Sequence, residues 1–329
     1  MRTQQGSILD MTDITRRASL AALLASAALP GTALAAEYPD RSVEIVVPSS
    51  AGGGTDIVAR AFTDVARKYV SQPFVVVNKP GASGAIGMGD VLNSRPDGYK
   101  ISMAIVELAI LPLLNQIKFS VDDFKMVARL NGDPASIVVR RDSPWNSIDA
   151  FIADAKARPG QINLGNSGIG SIWHLAGAAL ESKVGVQFLH VPYPGSAPGL
   201  LALIGGHLDA MAVSPGEASV HVRDGKLKVL AAMSAQRVPG FDDVPTLRER
   251  DIDLVFANWR GIAVPKATPQ PVVEALTTIT RKVANDPAFR EALTRSNLAH
   301  AYLEGAEFDA AIARDREFFK QITANINLN

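Results

Sequence analysis

The segment Pro48-Ser-Ser-Ala-Gly-Gly-Gly-Thr-Asp56 sets three glycines directly before a helix start. Glycine lets bare backbone N–H groups approach a ligand, and a helix N-terminus adds about half a positive charge, so the combination is an anion cradle. It lacks the Gly-Lys-Ser/Thr ending of a nucleotide phosphate loop and the glycine spacing of a dinucleotide fold. Gly165-Asn-Ser-Gly-Ile-Gly-Ser171 repeats the device with hydroxyls and opens a helix carrying Trp173 and His174. Val191-Pro-Tyr-Pro-Gly-Ser-Ala-Pro198 adds Tyr193 and a further Gly-Ser helix start. Cradles of this kind in different α/β units suit a cleft that grips both ends of a small anion through backbone dipoles, without an arginine.

Catalytic chemistry is not visible in these loops. Ser167 and His174 invite a hydrolase reading, but a nucleophile elbow needs Gly-x-Ser-x-Gly, and Ile169 stands where the second glycine belongs. His174 is expected to tie its loop to its helix by hydrogen bonding. The histidines at 174, 190, 207, 221 and 300 show no metal-binding spacing, so no metal and no cofactor are expected. The absence of cysteine removes thiolate catalysis, disulfides and Cys-ligated metals together. With 33 basic and 33 acidic side chains the formal charge is zero, which argues against tracking a nucleic-acid backbone.

The loops need a scaffold, and the chain alternates strand and helix. Strands are predicted at 43–47, 74–77 and 99–106, with helices between them, a βαβαβ order that forms a mostly parallel sheet covered by helices. The pattern restarts after Asp133-Pro134, with strands at 136–140, 162–164, 188–191, 208–213, 227–233 and 259–264. Three helices, 270–284, 287–296 and 307–323, close the sequence. Two α/β units fit this alternation, and strand order alone leaves open whether the chain crosses between them once or twice. Ligands of such sheets sit beyond the carboxyl ends of the strands, which selects the loops at 48–56, 78–87, 106–108, 164–174, 191–198 and 213–217.

Ahead of these units, Arg16-Arg17, the apolar run Leu20 to Leu29 and Ala33-Leu34-Ala35 have the order of a cleavable export signal over residues 1–35. The run is too short for a bilayer core. The twin arginine leaves both general routes of export open, and Met11 is an alternative start. An exported, periplasmic product is expected.

Taken in order, the motifs resemble the solute-binding receptors of tripartite tricarboxylate transporters, the Bug family. The resemblance rests on Ile45-Val-Val-Pro48, Ala51-Gly-Gly-Gly-Thr-Asp56, Val76-Val-Asn-Lys-Pro-Gly-Ala-Ser-Gly-Ala-Ile-Gly87, Pro96-Asp-Gly-Tyr99, His190-Val-Pro-Tyr-Pro-Gly195, Trp259-Arg-Gly261 and Pro265-Lys-Ala-Thr-Pro269. It implies a two-lobed periplasmic binding fold of type II, with two chain crossings that divide the chain into lobes 36–139 with 258–329, and 140–257. The protein would be a non-enzymatic, monomeric receptor that takes a di- or tricarboxylate, an amino acid or an aromatic acid. Its partner would be a membrane permease of one large and one small subunit, or a membrane sensor kinase. The residues carried over as ligand-binding are Ser49, Ala51, Gly52, Gly53, Thr55 and Asp56, then Ser167, Gly168, Gly170, Ser171 and His174, then Tyr193, Gly195, Ser196 and Ala197. Two departures bear on the ligand. Ser49-Ser50 replaces an aromatic-containing pair, and Glu107 stands where small hydroxyl residues are usual. Glu107 faces either a basic nitrogen of the ligand or, in the plainer reading, solvent or a helix end.

Overall fold

Apart from Glu44, Val43–Val47 is β-branched throughout, and its apolar side chains are fully buried, as the centre of a sheet covered on both faces requires. This is strand β1 of the computed structural model, which describes residues 38–325; the expected leader lies outside them. The first sheet has six strands in the order β11-β4-β10-β3-β1-β2: β1, β2 (Phe74–Asn78), β3 (Lys100–Ile105), β4 (Phe124–Asn131), β10 (Arg260–Pro265) and β11 (His300–Glu304). The second has five in the order β7-β6-β8-β5-β9: β5 (Ser136–Arg140), β6 (Asn163–Asn166), β7 (Leu189–Pro192), β8 (Ala210–Val213) and β9 (Leu227–Ala232). The parallel pairs β1–β2, β1–β3, β6–β7 and β6–β8 come from the strand–helix–strand units. In the first sheet only β10 and β11 run against the other strands, and in the second only β5 does.

Ten helices cover the sheets among the described residues: α1 (Gly54–Ala66), α2 (Ala85–Leu92), α3 (Glu107–Ile110), α4 (Ile148–Ala157), α5 (Ile172–Val184), α6 (Ser196–Ile204), α7 (Pro215–Arg223), α8 (Gln270–Asn285), α9 (Pro287–Arg295) and α10 (Gly305–Asn325). On one face of the first sheet, Phe62 of α1 and Phe289 and Leu293 of α9 close a core with Ile45 and Phe74. The other face shares a core with the second sheet. None of the helices is long and apolar enough to cross a membrane.

Strands β4 and β11 were not expected from the pattern. Lys125, Arg129 and Asn131 interrupt the apolar run of β4, and both strands carry register shifts that break the two-residue alternation. Pairing also assigns β5 to the second sheet, so the first crossing lies ahead of the 139/140 boundary drawn from sequence. The crossing segments run antiparallel side by side, bridged at Pro134 and Ala257. There Asn258 donates its N–H to Asp133 O at 2.9 Å, and Ala135 donates to Phe256 O at 2.7 Å. Helix α10 is fixed to this hinge by Trp259, whose Nε1 donates to Asp315 Oδ2 at 2.8 Å.

Candidate functional site

Where the strand ends of the two sheets face each other lies a cavity of about 470 Å³. Its floor is Arg260, the first residue of β10, which is 2% exposed. Arg260 donates from Nη1 to Asn131 Oδ1 at 2.6 Å and to Asp133 Oδ2 at 2.7 Å, and from Nε to Thr55 Oγ1 at 3.1 Å. Its Nη2 lies 3.4 Å from Glu217 Oε1 of the second lobe. A guanidinium this buried needs such a set of acceptors, because an uncompensated charge costs several kcal/mol.

The N-termini of α1, α5 and α6 reach the cavity, as does that of α2 through Gly84, and those of α1 and α5 are capped from the opposite lobe. Glu217 Oε1 accepts the Gly54 N–H at the start of α1 at 2.9 Å, and Glu217 Oε2 accepts from Ser214 Oγ at 3.1 Å. Glu107 Oε1 accepts the Ile172 N–H at the start of α5 at 3.0 Å. Each carboxylate thus sits at the positive end of a helix belonging to the other lobe. Burial pushes the Glu107 carboxyl up to about 7; the bonds from Ile172 and from its own N–H, with the charge of Arg260, oppose this, and the charge of Glu217 adds to it. Helix α6 has no side-chain cap. Glu107 therefore does not face solvent; its carboxylate caps a helix of the second lobe while also engaging its own N–H at the start of α3.

Of the residues expected at the site, Ser49, Gly53, Thr55, Glu107, Ser167, Gly168, Tyr193, Gly195 and Ser196 line the cavity. The buried Ser49 Oγ meets no protein partner, which leaves it open to a ligand. The others do not line the cavity. Asp56 turns back on its own loop, accepting from Gly52 N, Arg60 Nε and Asn78 Nδ2, each at 2.9 Å. Burial works against its charge, but these bonds hold its carboxyl below the usual range. Ser171 caps the His174 N–H at 3.2 Å. His174 Nδ1 accepts the Gly170 N–H at 3.0 Å, and its ring packs 4.5 Å from that of His190. Burial, with the nearby His190, lowers the His174 pKa to about 4. A neutral ring so engaged, outside the cavity that Ser167 lines, makes no serine–histidine couple. Ala51, Gly52 and Ala197 lie where the two loops meet; a Cβ on Gly52 would stand 3.8 Å from that of Ala197.

Sequence reasoning assigned no role to Arg260, Glu217, Gln116, Asn258 or the turn Gly81–Gly84, all of which line the cavity. Glu217 and the turn fall in loops selected by strand ends. Arg260 had a signal of its own, a charge inside the otherwise apolar run Trp259 to Val264. The turn holds Ala82 (φ 47°) and Ser83 (φ 52°) in the left-handed region, a strain that persists where the surroundings fix it. Ser83 Oγ donates to Ile169 O of the other lobe at 2.6 Å, and Ser50 Oγ to Pro194 O at 2.6 Å. Trp173, 2% exposed, forms part of the wall and donates from Nε1 to Ser196 Oγ at 3.1 Å.

Comparison with known proteins gives the same architecture a family. The profile described as tripartite tricarboxylate transporter family receptor matches residues 58–328. A UPF0065 protein of Cupriavidus necator is 34% identical over 312 residues, covering 94% of this chain and 95% of its own. A TctC solute-binding protein from Polaromonas, solved with no ligand, is 47% identical over 88% of this chain and 100% of its own, with a TM-score of 0.65. An R. palustris protein solved with adipate is 25% identical over 88% of this chain and 98% of its own, with a TM-score of 0.84. With two facing lobes, paired crossings and a cavity between helix ends, the chain belongs to the tripartite tricarboxylate transporter receptor family, periplasmic binding proteins that hold a small organic acid for a membrane transporter.

Proposed function

We propose that this receptor closes over one small organic acid in the cavity above Arg260 and presents the closed form to a permease of one large and one small membrane subunit. The observation that carries the reading is that the cavity is walled by both lobes and bridged across by Glu217 to Gly54, Glu107 to Ile172, Ser50 to Pro194 and Ser83 to Ile169. Hinge closure converts such bonds, with those to the ligand, into the difference between open and closed states. The superposition is closer on the adipate-bound relative than on the more identical ligand-free one, which supports a closed cleft here.

The ligand carboxylate is placed at the uncapped start of α6, near Ser196, with Ser49, Thr55, Ser167 and Gly168 around it. Trp173, Trp259 and Tyr193 supply walls for an apolar body. The test is thermal shift and calorimetry across a panel of organic, amino and aromatic acids. Stabilisation that rises with the logarithm of ligand concentration is expected for at least one class. Silence across the whole panel refutes the reading.

A further inference from the structure

Helix ends that face a receptor cleft are the natural seats for ligand carboxylates, and here two of them are already taken by the protein. Glu217 occupies the start of α1 and Glu107 the start of α5. The positive charge of Arg260 is committed as well, to Asp133 at 2.7 Å and Glu217 at 3.4 Å. Glu107, Glu217 and Arg260 are the charged side chains lining the cavity, and Asp133 stands directly behind the arginine, so negative charge is in excess. Two helix ends without a side-chain cap remain, those of α6 and α2, and the start of α2 is already engaged by its own turn, where the Gly84 N–H bonds to Gly81 O at 3.0 Å. Ile105, Ile169, Ile172, Trp173 and Trp259 add apolar wall to the cavity.

We propose that the cavity takes a ligand with a single carboxylate, seated at Ser196, and a nitrogen that donates hydrogen bonds toward Glu107 at its other end, and that Glu107 and Glu217 reject ligands bearing a second carboxylate. This rests on the receptor reading and sharpens it into a ligand class. A second carboxylate would bring a like charge into a site from which water is excluded, where it has no free guanidinium or helix end to meet. An ammonium or amino group finds instead an oxygen of Glu107 beyond the one used by Ile172. The carboxylate also keeps its helix-capping role while doing so, since each oxygen accepts separately.

Two matched trios, each of constant length, test this by calorimetry on the whole protein at about pH 8, where Glu107 is mostly ionised. One is adipate, hexanoate and ε-aminocaproate; the other is terephthalate, para-toluate and para-(aminomethyl)benzoate. In the trio that fits the cavity, the amino-terminated member should bind at least about tenfold tighter than the dianion, with the plain monoanion between them. Glu107→Gln keeps an acceptor for the Ile172 N–H and removes the charge; it should shrink that gap severalfold by weakening the amine and strengthening the dianion. Adipate or terephthalate binding as tightly as its amino partner overturns the inference and leaves the receptor reading standing. A gap that survives unchanged in Glu107→Gln overturns the role given to Glu107. Binding by none of the six, while another acid of the wider panel stabilises the protein, overturns the inference and leaves the receptor reading standing.

Discussion

Glu107, at the end of the third strand of one lobe, accepts a 3.0 Å hydrogen bond from the backbone N–H of Ile172, the first residue of a helix in the other. The bond joins the two halves of the cleft through a carboxylate that is 5% exposed. Glu217 does the same in the opposite direction at Gly54, so closing the cleft caps one helix in each lobe.

The raised pKa of Glu107 makes part of the stability pH-dependent. A carboxyl at about 7 in the native state, against an ordinary value of 4.5, leaves the native protein holding more protons than the unfolded chain between those values. Stability from this group is therefore complete below about pH 4.5 and is lost as pH rises through about 7. Glu107→Gln removes the titration, so its stability relative to the wild type should climb by on the order of 2 kcal/mol between about pH 4.5 and pH 8. Denaturant melts of both proteins across that range measure the difference; a flat difference refutes the assignment.

Gly54 is required by the approach of two side chains. A Cβ there would lie 2.5 Å from Arg260 Nη2 and 2.9 Å from Glu217 Cγ. Arg260 has no room to retreat, with Asn131 and Asp133 behind it. Gly54→Ala should lower ligand affinity by about tenfold or more while costing about 1–3 kcal/mol of stability, the usual range for overpacking. Calorimetry and denaturant melts separate the two effects.

Arg260→Met leaves Asp133 and Glu217 without their cation in a dry site. A loss of roughly 3–5 kcal/mol is expected, as for other buried pairs broken from one side. A double substitution, Arg260→Met with Asp133→Asn, should recover part of it, because the stranded charge goes too. Urea melts of the single and double variants test this; no recovery argues against Asp133 as the main partner.

Ser50 and Ser83 hold the lips of the cleft. Each hydroxyl donates to a carbonyl of the other lobe at 2.6 Å. Removing both as Ser50→Ala and Ser83→Ala should cost closure about 0.5–1.5 kcal/mol per bond, toward the lower figure at an exposed rim. Ligand affinity should fall severalfold, and X-ray scattering should report a larger radius of gyration for the ligand-free variant than for the wild type.

The local order of the molecule was legible in its residues. The β-branched run at Val43–Val47, the glycines before Thr55 and the Gly-Ser start at Ser196 each state a strand or a helix end through neighbours a few positions away. Nine of the residues expected at the site line the cavity, because loops at strand ends converge whatever their detailed sequence. Strands β4 and β11 were hidden because polar residues and register shifts blur their alternation. What only the tertiary structure decided is which charge meets which partner. Arg260 finds Thr55, Asn131, Asp133 and Glu217, and Glu107 finds Ile172, across separations that no local periodicity encodes. Those pairings depend on the angle at which two crossing segments set one lobe against the other. In a buried cleft that angle decides whether a carboxylate repels a ligand or caps a helix.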